Sequence, residues 1–290
     1  MTTRIVGYKA KAFESRNLVF FFLITFGLIW FLDALFILDI LKFPVGIGEN
    51  FGSTSGILLL VLGCSSTIAA FVMTAITEGK PSVRVLWRRF WNRKLSIKWL
   101  LVILLILPAL RLIANFASRR MNNQVYPFLD LTNPPWMIIL TFITAFIFNG
   151  MTEEFGWRGY ALPRFQARWN ALASSLILGI ITTSWHIPLF FIPGHPHYQG
   201  NFYNWALWFI LVNILMTWIF NNTNGSVLAA VMFHAMMNTG ITGIGSVRHY
   251  LGVLLLVVIL ILIIFGPRNL VRQQLKEGTW QDGVCALYAY

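Results

Sequence analysis

Long apolar runs separated by short polar breaks organise this chain. A run of about 20 apolar residues is long enough to cross a bilayer as a helix. Eight such runs stand out, at 17–41, 53–76, 99–116, 136–160, 171–192, 204–220, 227–243 and 250–266. The first is too long for the core of a signal peptide, carries Asp33 and has no small-residue cleavage site nearby, so it reads as a span. Between the second and third runs the pattern changes. Val83, Leu86, Trp87, Phe90 and Trp91 recur at i, i+3, i+4, i+7 and i+8, with Arg84 and Arg88 on the other face. That spacing predicts an amphipathic helix on the lipid surface across 81–98, an anchor first of all and alternatively a docking surface for substrate. Residues 162–170 repeat the theme more weakly, with Leu162, Phe165 and Trp169 interleaved with Arg164 and Arg168, and Pro163 is expected to break the fourth helix there.

The expected fold is all-α: a polytopic bundle of about eight transmembrane helices, forming one integral membrane domain over residues 1–290. Composition agrees. Hydrophobic residues make up 57% and charged residues 11%, against roughly 25% charge in a soluble domain, and the mean hydropathy is +0.70. No internal repeat or low-complexity linker stands out, and any active site has to be built from the bundle itself.

A net charge of +12 could point to nucleic acid, but its distribution points to a membrane. With eight spans, both termini and three loops share one side. That side holds Arg4, Lys9, Lys11 and Arg16, then Lys80, Arg84, Arg88, Arg89, Arg93, Lys94 and Lys98, then Arg158, Arg164 and Arg168, then Arg268, Arg272 and Lys276, which is seventeen of the 22 basic residues. The positive-inside rule places that side, and both termini, in the cytoplasm. The partner implied is the lipid bilayer, with no nucleic acid. Of the two cysteines, Cys64 is mid-span and Cys285 is in the tail, so no disulfide is expected.

Against this apolar background the adjacent pair Glu153 and Glu154 is anomalous, because ionisable groups inside a membrane are costly and mark function. The chain has only ten acidic residues. Glu154 and Arg158 are four apart and share a helix face, as do His234 and Asn238 in the seventh run. At 1.5 Å per residue, Glu154 lies about 12 Å from the end of its helix near Leu162, and His234 about 12 Å from a start near Ser226, so the two can meet. His186, in the fifth run before Pro188, counts to roughly 22 Å deep and needs tilt or a distorted helix to join them. Two carboxylates, two imidazoles and an amide in a confined, partly dry space suit hydrolysis: a carboxylate as general base on water, imidazole to orient it, an amide to stabilise an oxyanion. Taken singly, each group has a plainer reading. A lone histidine packs helices, a Glu–Arg pair is a salt bridge, Asp33 is structural, and His195 and His197 sit in a solvated turn.

Taken together, these residues resemble the CPBP intramembrane protease family, which includes the CAAX prenyl endopeptidases and bacteriocin-immunity relatives. The resemblance rests on Glu153-Glu154-Phe155-Gly156-Trp157-Arg158 for E-E-x-x-x-R, on Trp185-His186-Ile187-Pro188, and on His234-Ala235-Met236-Met237-Asn238 for H-x-x-x-N, in family order over roughly 135–245. Thr182 stands four residues before His186 where the family pattern has an aromatic. The resemblance implies a protease-like core at 135–245 with Glu153 as the water-activating base, His186 assisting, His234 and Asn238 on the oxyanion, and Glu154 and Arg158 holding the site. It implies an endopeptidase acting on a membrane-associated protein or peptide, including prenylated C-a-a-X ends, from a site opening toward the cytoplasm. Glu153, His186 and His234 could ligate a divalent metal such as zinc, but no H-E-x-x-H is present. The metal-free mechanism is preferred, because Asn238 and the second histidine make better sense as oxyanion donors. The alternatives are a non-catalytic immunity or scaffold protein and, less favoured without internal repeats, a transporter.

Overall fold

A computed structural model of the protein describes residues 15–44, 53–91, 95–122, 134, 136–239 and 247–271. Among these residues the regular structure is entirely helical, and we number the helices α1 (Ser15–Ile37), α2 (Thr54–Gly63), α3 (Ser65–Glu78), α4 (Lys80–Arg88), α5 (Ile97–Asn122), α6 (Trp136–Gln166), α7 (Ala171–Trp185), α8 (Phe202–Asn222), α9 (Val227–Asn238) and α10 (Val247–Phe265). Arg4, Lys9, Lys11, Arg93, Lys94, Arg272, Lys276, Cys285 and the last residues of the expected span 227–243 lie outside the described residues.

Five helices, α1, α5, α6, α8 and α10, are long and apolar enough to cross a membrane, and α2 with α3 makes a sixth span bent by 47°. This is an integral membrane protein. The remaining two expected spans fold as shorter helices, α7 of 15 residues and α9 of 12. Their starts are set by side-chain caps: Asn170 Oδ1 accepts from the amide of Ala173 and Ser226 Oγ from that of Ala229. α7 stops early because Pro188 follows, and the apolar run continues as a 3₁₀ turn, Ile187–Phe190. The expected amphipathic helix is shorter than 81–98: α4 ends at Arg88 and Ile97 already begins α5, with Ser82, Leu86 and Phe90 buried and Trp87 and Trp91, expected on the apolar face, exposed beside Arg84 and Arg88.

Pro163 does not break the fourth helix; α6 runs through it to Gln166. Proline withholds the amide that would bond the carbonyl four residues back. Here that carbonyl, of Gly159, accepts from Arg89 Nη1 at 2.9 Å, and the preceding segment Phe155–Ala161 is wound as a wider π-helix.

The buried side chains form two clusters. One joins α5, α8, α9 and α10 through residues such as Leu107, Leu215, Phe233 and Leu254. The other joins α1, α3, α6 and α7 through Phe21, Ala69, Trp157 and Leu178. α9 belongs to both, with Phe233 in the first and Val231 in the second. Close approach along α6 depends on glycine: a Cβ at Gly156 would lie 2.6 Å from the Ser66 carbonyl oxygen, and one at Gly150 2.8 Å from that of Val231. Small residues at helix crossings are the usual means of bringing membrane helices this close.

Candidate active site

The acidic pair lies between two π-wound segments of α6, Phe146–Gly150 and Phe155–Ala161. Irregular winding frees backbone carbonyls, which inside a membrane need other donors. α3 supplies them. Ser66 Oγ donates to the carbonyls of Thr152 and Glu153 at 3.3 and 3.2 Å, and Thr67 Oγ1 donates to Met151 at 3.2 Å. The backbone beneath the glutamates is thereby tied to a second helix.

The two glutamates differ sharply in surroundings. Glu154 is fully buried and held by two helices: its Oε1 lies 2.7 Å from His234 Nδ1, and its Oε2 3.1 Å from Arg158 Nη1. Arg158, also buried, donates through Nη2 to Asn213 Oδ1 of α8, and Asn213 Nδ2 donates in turn to the Phe209 carbonyl at 2.9 Å. Glu153 is 6% exposed and, among the described residues, its carboxylate accepts one hydrogen bond, from Trp157 Nε1 at 3.2 Å. One carboxylate is thus committed to the charged groups of Arg158 and His234, and its neighbour is bound by Trp157 alone among the described residues.

His186 occupies the end of α7. Its Nδ1 meets the Thr182 carbonyl at 2.7 Å, and its ring lies 4.6, 5.3 and 5.1 Å from those of Trp185, Trp205 and Phe209. The missing aromatic at position 182 is therefore replaced by rings from α8. Among the described residues no hydrogen bond joins His186 to either glutamate. Asn238 is not drawn into the network either. It is exposed, and its amide turns back to the His234 carbonyl at 3.4 Å.

Two further expectations change. His195 and His197 are half-buried and do not form a freely solvated turn: His197 stacks on Phe190 at 5.1 Å and meets Trp205 at 5.2 Å, so their loop backs the wall around His186. Among the described residues no three histidine, cysteine, aspartate or glutamate side chains are arranged to hold a metal ion. Glu153, His186 and His234 are not such an arrangement. The residue that sequence reasoning missed is Asn213. Its signal was an amide in the middle of an apolar run, where burial demands a polar partner.

The network joins a carboxylate, an imidazole, a guanidinium and an amide from three helices, with a less committed carboxylate beside it. Residues 135–240 match the family model described as type II CAAX prenyl endopeptidase, Rce1-like. The match covers residues 135–240 of 290 and marks a similarity to the CAAX prenyl endopeptidases over that segment. The chain is also similar to a protein of Methanococcus maripaludis named CAAX prenyl protease 2, at 27% identity over 231 residues that take in 72% of this chain and 82% of that relative. Glu154 and His234 meet where α6 and α9 pack together.

Proposed function

We propose that Glu153 is the general base of this intramembrane endopeptidase and that the Glu154–Arg158–Asn213 network exists to fix His234 opposite it. The observation that carries this reading is the 2.7 Å contact between His234 Nδ1 and Glu154, made across 80 positions of sequence. With Nδ1–H given to the carboxylate, His234 acts as the doubly protonated imidazolium, whose Nε2–H is presented outward as the donor the oxyanion needs. Glu153 takes a proton from water, the hydroxide adds to the scissile carbonyl, and the developing oxyanion is met by His234. Glu153 then returns the proton to the departing amine. His186 orients the water, and Asn238 joins the oxyanion site by turning from its own helix toward the substrate. The catalytic core spans 135–245 of a single membrane domain that opens toward the cytoplasm, as the distribution of basic residues supports. The substrate class is a membrane-associated protein with a prenylated C-a-a-X end, a reading supported by the relative's name.

The test uses purified protein in detergent with prenylated C-a-a-X peptides and a general membrane-peptide library. Glu153→Gln removes the base without changing shape, and the expected loss in kcat/KM is on the order of 10²- to 10⁴-fold. Cleavage by Glu153→Gln at the wild-type rate would sink the assignment.

A further inference from the structure

The short helix α4 makes contacts that an anchor does not need. Trp87 stacks on Phe155 at 5.6 Å between ring centres with an interplanar angle of 7°, and Phe90 stacks on the same ring at 5.7 Å. Phe155 directly follows the glutamate pair. One turn on, Leu86 lies against Gly159 so closely that a Cβ there would sit 2.8 Å from Leu86 Cδ1. Arg89 donates to the Gly159 carbonyl, and its own carbonyl accepts from the amide of Val227 at 3.2 Å, the first residue of α9. The inner face of α4 therefore holds the helix carrying Glu153 and Glu154 and the start of the helix carrying His234.

The outer face is different. Lys80, Arg84 and Arg88 are exposed beside Trp87 and Trp91, which are 43% and 59% exposed. Tryptophan between basic residues on a surface helix matches the interface of a bilayer carrying negative headgroups. Nine residues are too few for a helix to hold itself in place, so the position of α4 depends on what bears on each face.

We propose that the outer face of α4 binds anionic lipid headgroups, and that this binding sets the alignment of α6 and α9 and so the register of Glu153 against His234. Recognition is by charge and interfacial aromatic rings, and the occupant is the lipid surface. The activity arm of the test rests on the protease reading above; the stability arm does not.

Full-length protein is reconstituted in nanodiscs of phosphatidylcholine alone or with phosphatidylglycerol. In the stability arm, wild type is expected to unfold at a higher temperature with the anionic lipid, and the Arg84→Glu/Arg88→Glu double variant to lose that difference. Arg84→Gln/Arg88→Gln, which adds no repulsion, is expected to lose most of it. In the activity arm, the ratio of kcat/KM between the two compositions is expected to be about tenfold for wild type, within the ordinary range of site-to-site coupling, and near one for both variants. Equal melting temperatures for wild type in both compositions, or a lipid response that survives in both variants, overturns the proposal. So does a stabilisation reproduced by inorganic phosphate in phosphatidylcholine nanodiscs, which makes the face a site for small anions. A lipid-dependent stability shift with no cleavage in any composition overturns the protease reading and the coupling, and leaves the lipid surface standing.

Discussion

His234 and His186 are the same side chain held in two different ways. His234 is fixed by a polar knot: its ring meets Glu154, Glu154 meets Arg158, and Arg158 meets Asn213, so that α6, α8 and α9 share one network of buried groups. His186 is fixed locally, by the Thr182 carbonyl of its own helix and by three aromatic rings. The first arrangement is close to all-or-none, because removing one member leaves a buried charge or acceptor unmatched. The second is graded, because each ring adds its share of packing and none leaves an orphan. A protease that must hold one group rigidly while admitting substrate past another has use for both.

The largest break in this comparison comes from Arg158→Met. It strips Glu154 of its buried counter-charge and Asn213 of its partner, and the expected cost is about 3–5 kcal/mol. Chemical unfolding in detergent measures it. A cost near that of an ordinary surface change would mean that the knot is not a structural unit.

How much of this was legible beforehand depends on the kind of residue. Among the described residues each of the eight apolar runs carries a helix, because burial in lipid demands apolar residues at every turn. The lengths of α7 and α9 were overread, since an apolar run does not end where a helix does: the chain continues past Trp185 in a 3₁₀ turn. The meeting of Glu154 with His234 was legible from depth alone. The π-winding of α6 was not, and it is what let α6 pass through Pro163. No local pattern announces it, and the side-chain donors along it, Ser66, Thr67 and Arg89, come from outside α6. Asn213 was passed over, because an amide within an apolar run names no partner until three dimensions supply Arg158.

Two double-mutant cycles sharpen the contrast. Coupling between His234 and Glu154, measured with His234→Ala and Glu154→Gln, is expected at about 1.5–3 kcal/mol, the range of a hydrogen bond to a charged group. Coupling between His186 and Trp205, measured with His186→Ala and Trp205→Leu, is expected at about 0.5–1.5 kcal/mol, as for an aromatic pair. Equal couplings would erase the distinction between knot and box.

The smallest effect is on the outer side of the box. Burial, with the neighbouring His197 adding to it, pushes the His195 imidazole from 6.5 down to about 4. His195 Nδ1 accepts from the His197 amide at 3.0 Å, which requires the unprotonated nitrogen. The folded state therefore favours neutral His195 more than the unfolded chain does. Its stabilising contribution is complete above pH 6.5 and is lost progressively as the pH falls toward 4, because the unfolded chain takes up a proton first. His195→Asn keeps an acceptor at nearly the same place and cannot titrate. Its melting temperature is expected to fall less than that of wild type between pH 6.5 and 4, with the remaining slope coming in part from His197, whose imidazole is also lowered by burial. Because His197 touches Trp205 and Trp205 touches His186, acid should loosen the box. Parallel pH slopes for wild type and His195→Asn would remove His195 from that chain of contacts and leave the wall around His186 supported by Trp185, Trp205 and Phe209 alone.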